Sequence, residues 1–233
     1  MKRRHLTFAA TVAAAAITGW MTYGSHGEPA VLASPTAPVS ADTGQLLSGV
    51  TVVEAMPNVP GYERGCGINK KSGQREACVF GPAWNDPSDH SGCDTRSRIL
   101  GAQLHDVTYK AGTRNCKPVS GWLVDPYSGQ RIALAQTQID HVFALSRAWD
   151  AGAWRWDLRQ RQIFANDPDN LIAASGRLNQ QKGDSGLETW MPPNMQERCT
   201  YARQYLAVAS KYKLMISAGD RAAAVAACPQ ASS

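Results

Sequence analysis

Asp140 and His141 stand side by side in Gln138-Ile139-Asp140-His141-Val142. Asn170 follows in Asn166-Asp167-Pro168-Asp169-Asn170-Leu171, then Asn179 and Lys182 in Leu178-Asn179-Gln180-Gln181-Lys182-Gly183-Asp184. An imidazole titrates near neutral pH and can take a proton from water. A carboxylate and an amide oxygen are hard donors of the kind that hold a divalent cation, which neutralises phosphate and stabilises a departing oxygen. Asn179 and Lys182 are three apart, so on a helix they share a face, with Lys182 offering a cation to phosphate. Asn170 has an amide able to pin the connecting loop and orient the His141 ring. These residues together suit hydrolysis of a phosphodiester.

Each signal alone has a plainer reading. An Asp-His pair at a strand end is ordinarily a surface turn or an internal ion pair. Asn after Asp-Pro-Asp is by default a turn residue, and Asn179 with Lys182 a solvated helix face. The order and spacing of all of them carry the argument.

The elements that must position them follow from the pattern. Ile139 to Leu145 alternates as a strand, which sends the Asp140 and His141 side chains to opposite faces unless the strand bends or ends there. Leu171 to Ala174 is a second, short apolar strand. Ser175 caps the helix carrying Asn179 and Lys182, and Gly183 ends it. Ahead of this unit, Arg96 to Leu104 has helical spacing behind an Asp94 or Thr95 cap. Val119–Leu123 and Arg131–Ala135 flank Asp125-Pro126-Tyr127-Ser128-Gly129, a hairpin signal. Trp154 to Ala165 reads as an amphipathic helix with Leu158 and Ile163 inward. Two further helices follow, from Arg198 to about Leu214 and from Asp220 to Ala227. The fold class is α+β.

The chain has 233 residues and 43% hydrophobic content, enough for one domain with appendages. Its net charge of +5 falls to +3 once Lys2, Arg3, Arg4 and Glu28 are set aside, a mild excess compatible with a polyanionic partner. Residues 1–30 combine a basic start with an Ala-rich apolar run and read as a signal peptide, or as an N-terminal anchor. Residues 31–48 form a Pro/Ala/Ser/Thr-rich linker, and the folded domain occupies 49–228. Cys66, Cys78, Cys93, Cys116, Cys199 and Cys228 include no Cys-x-x-Cys pair, so disulfides in an oxidising compartment are favoured over zinc. Any pairing among the six is open; proximity favours 66–78, 93–116 and 199–228.

Asp140-His141, Asn170-Leu171 and Asn179-x-x-Lys182 resemble the motif of the HNH endonucleases, the ββα-metal or His-Me finger nucleases. The segment from Cys93-Asp94-Thr95-Arg96 to Cys199, with Asp106-Val107-Thr108-Tyr109 and Asp125-Pro126-Tyr127-Ser128-Gly129, is similar to secreted actinobacterial proteins of that family. The likeness covers roughly residues 62–215. It implies a disulfide-stabilised α+β fold around a ββα-metal core, and a secreted endonuclease acting on nucleic acid, DNA rather than RNA, with little sequence specificity. By the same resemblance His141 is the general base, Asp140 and Asn179 the metal ligands and Asn170 the structural Asn. Lys182 adds charge near phosphate, and Arg96 is a candidate phosphate ligand or the partner of a carboxylate. Asn179 stands where many members have His; an Asp-Asn pair suits Mg or Mn. No membrane partner is implied beyond the possible anchor. The alternative is a degenerate extracellular binding module of the cell envelope that keeps the fold without the activity. A glycosidase would need two facing carboxylates, and the sequence offers no such pair.

Overall fold

The computed structural model describes residues 42–228. The signal segment expected over 1–30 and residues 31–41 of the expected linker lie outside them. Folded structure begins earlier than residue 49. Helix α1 (Thr43–Ser48) buries Thr43, and Leu46 and Leu47 pack against the main apolar cluster, so the last part of the 31–48 segment is helix rather than linker.

Strand β1 (Val52–Val53) pairs in parallel with β7 (Ile216–Ser217). A long irregular stretch leads to α2 (Thr95–Gln103), where the Asp94 carboxylate accepts the Ser97 amide as the N-cap. β2 (His105–Tyr109), β3 (Pro118–Val124) and β4 (Arg131–Ala133) form an antiparallel sheet in that order. The β3–β4 turn is the Asp-Pro-Tyr-Ser-Gly segment, with Gly129 at φ +72°, a conformation that costs glycine little.

β5 (Thr137–His141) and β6 (Leu171–Ser175) pair antiparallel, Thr137 opposite Ser175 and His141 opposite Leu171. α5 (Gly176–Lys182) follows directly, its first turn capped by Ser175 and its end closed by Gly183 at φ +58°. Strand, strand and helix thus form a ββα unit. Between the two strands lie α3 (Leu145–Asp150) and α4 (Leu158–Asn166), and after them α6 (Arg198–Tyr212) and α7 (Ala218–Ala227).

Side-chain alternation along β5 and β6 divides the interior. Ile139, Leu171 and Ala173 join Ile99, Leu100 and Leu104 of the α2 region and Leu123 and Ile132 of the hairpin. Ile172 and Ala174 face Tyr127, Phe143, Leu178 and the α6 residues Tyr201, Ala202 and Tyr205. On the free edge of β6, Gln103 stands in for a third strand. Its amide donates to the Leu171 carbonyl at 3.2 Å and accepts the Ala173 amide at 2.6 Å. The disulfides join Cys66 to Cys78, Cys93 to Cys116 and Cys199 to Cys228. The class is α+β with three disulfides.

Two expected elements differ. β5 stops at His141, because Val142–Ala144 turn into the core and Leu145 already opens α3. The helix expected from Trp154 begins at Leu158 behind an Asp157 cap. Leu158 is 48% exposed, and Phe164 and Ala165 point inward in its place.

Candidate functional site

The ladder runs through both Asp140 and His141 without a bend, Asp140 opposite Ile172 and His141 opposite Leu171. Their side chains therefore leave on opposite faces, and the carboxylate and imidazole do not share one cleft. The condition that would have united them, a bend between the two, is not met.

Asp140, 4% exposed, lies on the α5 face. Lys182, only 1% exposed, brings its ammonium to 3.0 Å from Asp140 Oδ2 and donates to the His141 carbonyl oxygen at 2.8 Å. The Tyr127 hydroxyl donates to the same carboxylate. Burial pushes the Asp140 carboxyl up, opposed by the charge of Lys182 and by the two donors. Burial raises Tyr127 well above its usual range, followed in effect by the Asp140 charge, so the phenol stays a donor. Tyr127 is held by its turn. The buried Asp125 carboxylate accepts the Tyr127 amide, the Ser128 amide and hydroxyl, and the Ser175 amide at the β6–α5 junction. Lys182 is thus the counter-ion of Asp140 rather than a free cation facing phosphate.

His141, 8% exposed, sits on the other face. Its Nε2 lies 2.8 Å from the Ala165 carbonyl oxygen. A carbonyl only accepts, so Nε2 carries the proton and Nδ1 keeps its lone pair. Burial lowers the ring's pKa from 6.5 to about 3; the nearby Arg64 guanidinium and Lys182 act in the same direction, against the Ala165 hydrogen bond. The ring is consequently neutral across physiological pH, its Nδ1 lone pair unprotonated. Trp84 stacks on it, ring centroids 5.8 Å apart and planes 12° from parallel.

Asn170, fully buried, fastens the turn after His141. Its Oδ1 accepts the Phe143 amide at 2.7 Å, its Nδ2 donates to the Phe143 carbonyl at 3.1 Å, and its own carbonyl accepts the Val142 amide. It continues the β5–β6 pairing by one side chain and orients the strand, without touching the imidazole. Asn179 donates to Gln138 Oε1 at 3.0 Å, tying α5 to β5 on the Asp140 face.

In this arrangement the expected ligands do not fit a divalent cation. Both Asp140 oxygens already hold a donor, one of them an ammonium that repels any second cation. Asn179 donates its Nδ2 to Gln138, which leaves its Oδ1 as the one expected ligand atom not already engaged, and no group of three His, Cys, Asp or Glu side chains suited to a metal gathers among the described residues.

Arg96 lies at the first turn of α2 with no ion pair among the described residues; the neighbouring Asp94 carboxylate is taken up by Ser97. Of Arg155, Arg159 and Arg161 around α4, Arg161 is spent on the Val79 and Trp156 carbonyls and Arg155 lies over Trp154. Arg64, Trp84 and Tyr127 were not legible as site residues. Arg64 and Trp84 sit in a Gly/Pro-rich loop far from the motif, and Tyr127 in what reads as an ordinary turn.

Residues 94–217 match the family described as "GmrSD restriction endonucleases, C-terminal domain", a stretch that runs from the α2 cap through β7. A protein of Arthroderma benhamiae, named "Uncharacterized secreted protein", is 38% identical over 199 residues, 84% of this chain and 88% of its own length. No solved structure matches.

Proposed function

Because the chain belongs to the family of GmrSD restriction endonuclease C-terminal domains, we propose that it is a secreted endonuclease hydrolysing phosphodiester bonds of nucleic acid, DNA before RNA. The observation that carries this reading is the state of His141, neutral, with Nε2 held by Ala165 and the Nδ1 lone pair free. His141 Nδ1 takes a proton from water as the oxygen attacks phosphorus. The Arg64 guanidinium, close enough to depress the ring's pKa, offsets charge on the phosphate. The 3′ oxygen departs and is protonated from solvent.

Asp140, Lys182, Tyr127 and Asn170 act as positioning residues, holding β5 and its turn so that the His141 ring is presented in one orientation. HNH-type nucleases generally use divalent metals. The Mg or Mn ion expected from the resemblance gains Asp140 and Asn179 as ligands only if Lys182 releases Asp140. The three disulfides and the likeness to a secreted protein support an extracellular location.

The chemistry predicts the product ends. Digestion of matched DNA and RNA oligonucleotides by the oxidised chain should leave 5′-phosphate and 3′-hydroxyl termini, faster on DNA. Ends bearing a 3′-phosphate would contradict departure of the 3′ oxygen.

A further inference from the structure

We propose that a cleft beside His141 binds the nucleotide next to the scissile phosphate, stacking its base on Trp84 and holding its phosphate with Arg96 and Lys117. The proposal rests on the nuclease reading above and deepens it. The cleft has a volume of about 570 Å³, within the range that takes a small-molecule-sized group. Ala83, Leu100, Pro118 and Leu134 supply apolar lining, and Trp84, Arg96 and Lys117 the groups that distinguish a nucleotide from other ligands.

Three observations converge. First, Trp84 belongs to both sites, since it lines this cleft and stacks on His141. A strand whose phosphate meets His141 therefore has its neighbouring nucleotide delivered to the cleft. Second, Arg96 is half-buried and Lys117 exposed, and neither has an ion pair among the described residues. The one acid on the wall, Asp94, has both oxygens occupied by Ser97. Against that one carboxylate the cleft sets two cations without ion pairs among the described residues, a net positive charge of the sign that a phosphodiester backbone requires. Third, Trp84 adopts φ +61°, a left-handed conformation unfavourable for a bulky side chain, and is anchored there by the Thr95 amide donating to its carbonyl at 3.1 Å. Backbone strain of this kind concentrates where a side chain must be presented to a ligand. Aromatic stacking tolerates any base, so the subsite adds affinity without adding sequence specificity.

The test is binding, read by fluorescence anisotropy of a labelled single-stranded DNA oligonucleotide with phosphorothioate linkages, against the full oxidised chain at several salt concentrations. Arg96→Ala with Lys117→Ala should weaken binding at least tenfold and reduce the salt slope by about 0.7, the value for one phosphate of a single strand no longer neutralised. Trp84→Ala should weaken it about 5- to 150-fold, and Trp84→Phe should restore most of that loss. An oligonucleotide of abasic sites should bind wild type and Trp84→Ala alike. Lys70→Ala, an exposed cation elsewhere, serves as the control and should bind as wild type does. Should Trp84→Ala fail to fold, the double cation variant and Trp84→Phe still decide the matter. Wild-type binding and cleavage with no loss in the Arg96/Lys117 and Trp84 variants would overturn the subsite and leave the nuclease reading intact. Absence of any nucleic-acid binding or cleavage by the folded wild-type chain would overturn both.

Discussion

His141 couples the chemistry of the site to the stability of the fold. Its pKa falls from 6.5 to about 3 on folding, chiefly through burial. The unfolded chain therefore binds the extra proton between these values while the folded chain does not. Stability from this residue is fully present above pH 6.5 and is lost as pH drops toward 3, at up to about 1.4 kcal/mol per pH unit. Urea unfolding of wild type and His141→Asn between pH 7 and 4 should show the wild type losing stability faster; parallel curves would mean the ring is charged or exposed in the folded state. Lys182 makes the complementary case. Lys182→Met strands the buried Asp140 carboxylate and should cost about 3 kcal/mol in the same assay, with Asp140→Asn/Lys182→Met recovering part of it. If the single variant were neutral, Asp140 would not depend on this ammonium.

At the scale of elements, the turn that follows β5 is fastened beside the start of β6 by the Asn170 side chain. Asn170→Ala removes both bonds to the Phe143 backbone in a fully buried turn, a loss of about 3 kcal/mol. Hydrogen exchange at the Phe143 amide should accelerate more than at the α6 amides; equal acceleration throughout would show global rather than local loosening. Much of this unit was legible, because β6, α5, the Ser175 cap and the Gly183 stop are each encoded by local pattern and capping chemistry. The hairpin and the α2 cap were legible for the same reason. β2 was not, because its pairing shifts register twice and Asp106 takes φ +51°, which blurs the alternation that marks a strand. Nor was the role of Lys182. A lysine on a short helix reads as solvated, and only the tertiary fold reveals that it turns inward to an acid 42 residues away. The faces of Asp140 and His141 depended on whether β5 bends between them, which pairing with β6 decides and local sequence does not.

At the scale of the molecule, disulfides and packing divide the work. Cys66–Cys78 staples the irregular region ahead of the α2 cap, from which Arg64 and Trp84 come, Cys93–Cys116 ties the start of α2, which carries Arg96, to the residue before Lys117, and Cys199–Cys228 clasps α6 to the end of α7. Arg64 and Trp84 precede the stretch matched by the family, residues 94–217, so the surroundings of His141 draw on residues outside that match. No described helix is long and apolar enough to cross a membrane.

Whether His141 is the base of a nuclease is decided by plasmid nicking. Oxidised chain should be incubated with supercoiled DNA in Mg, Mn or EDTA, beside His141→Ala whose folding is verified by circular dichroism. Wild type should convert the plasmid to open-circular and linear DNA, and the variant should do so at least a hundredfold more slowly. Full activity in His141→Ala would contradict the assignment of the base. No nicking in any metal by a folded wild-type chain would leave a binding module that keeps the fold without the reaction.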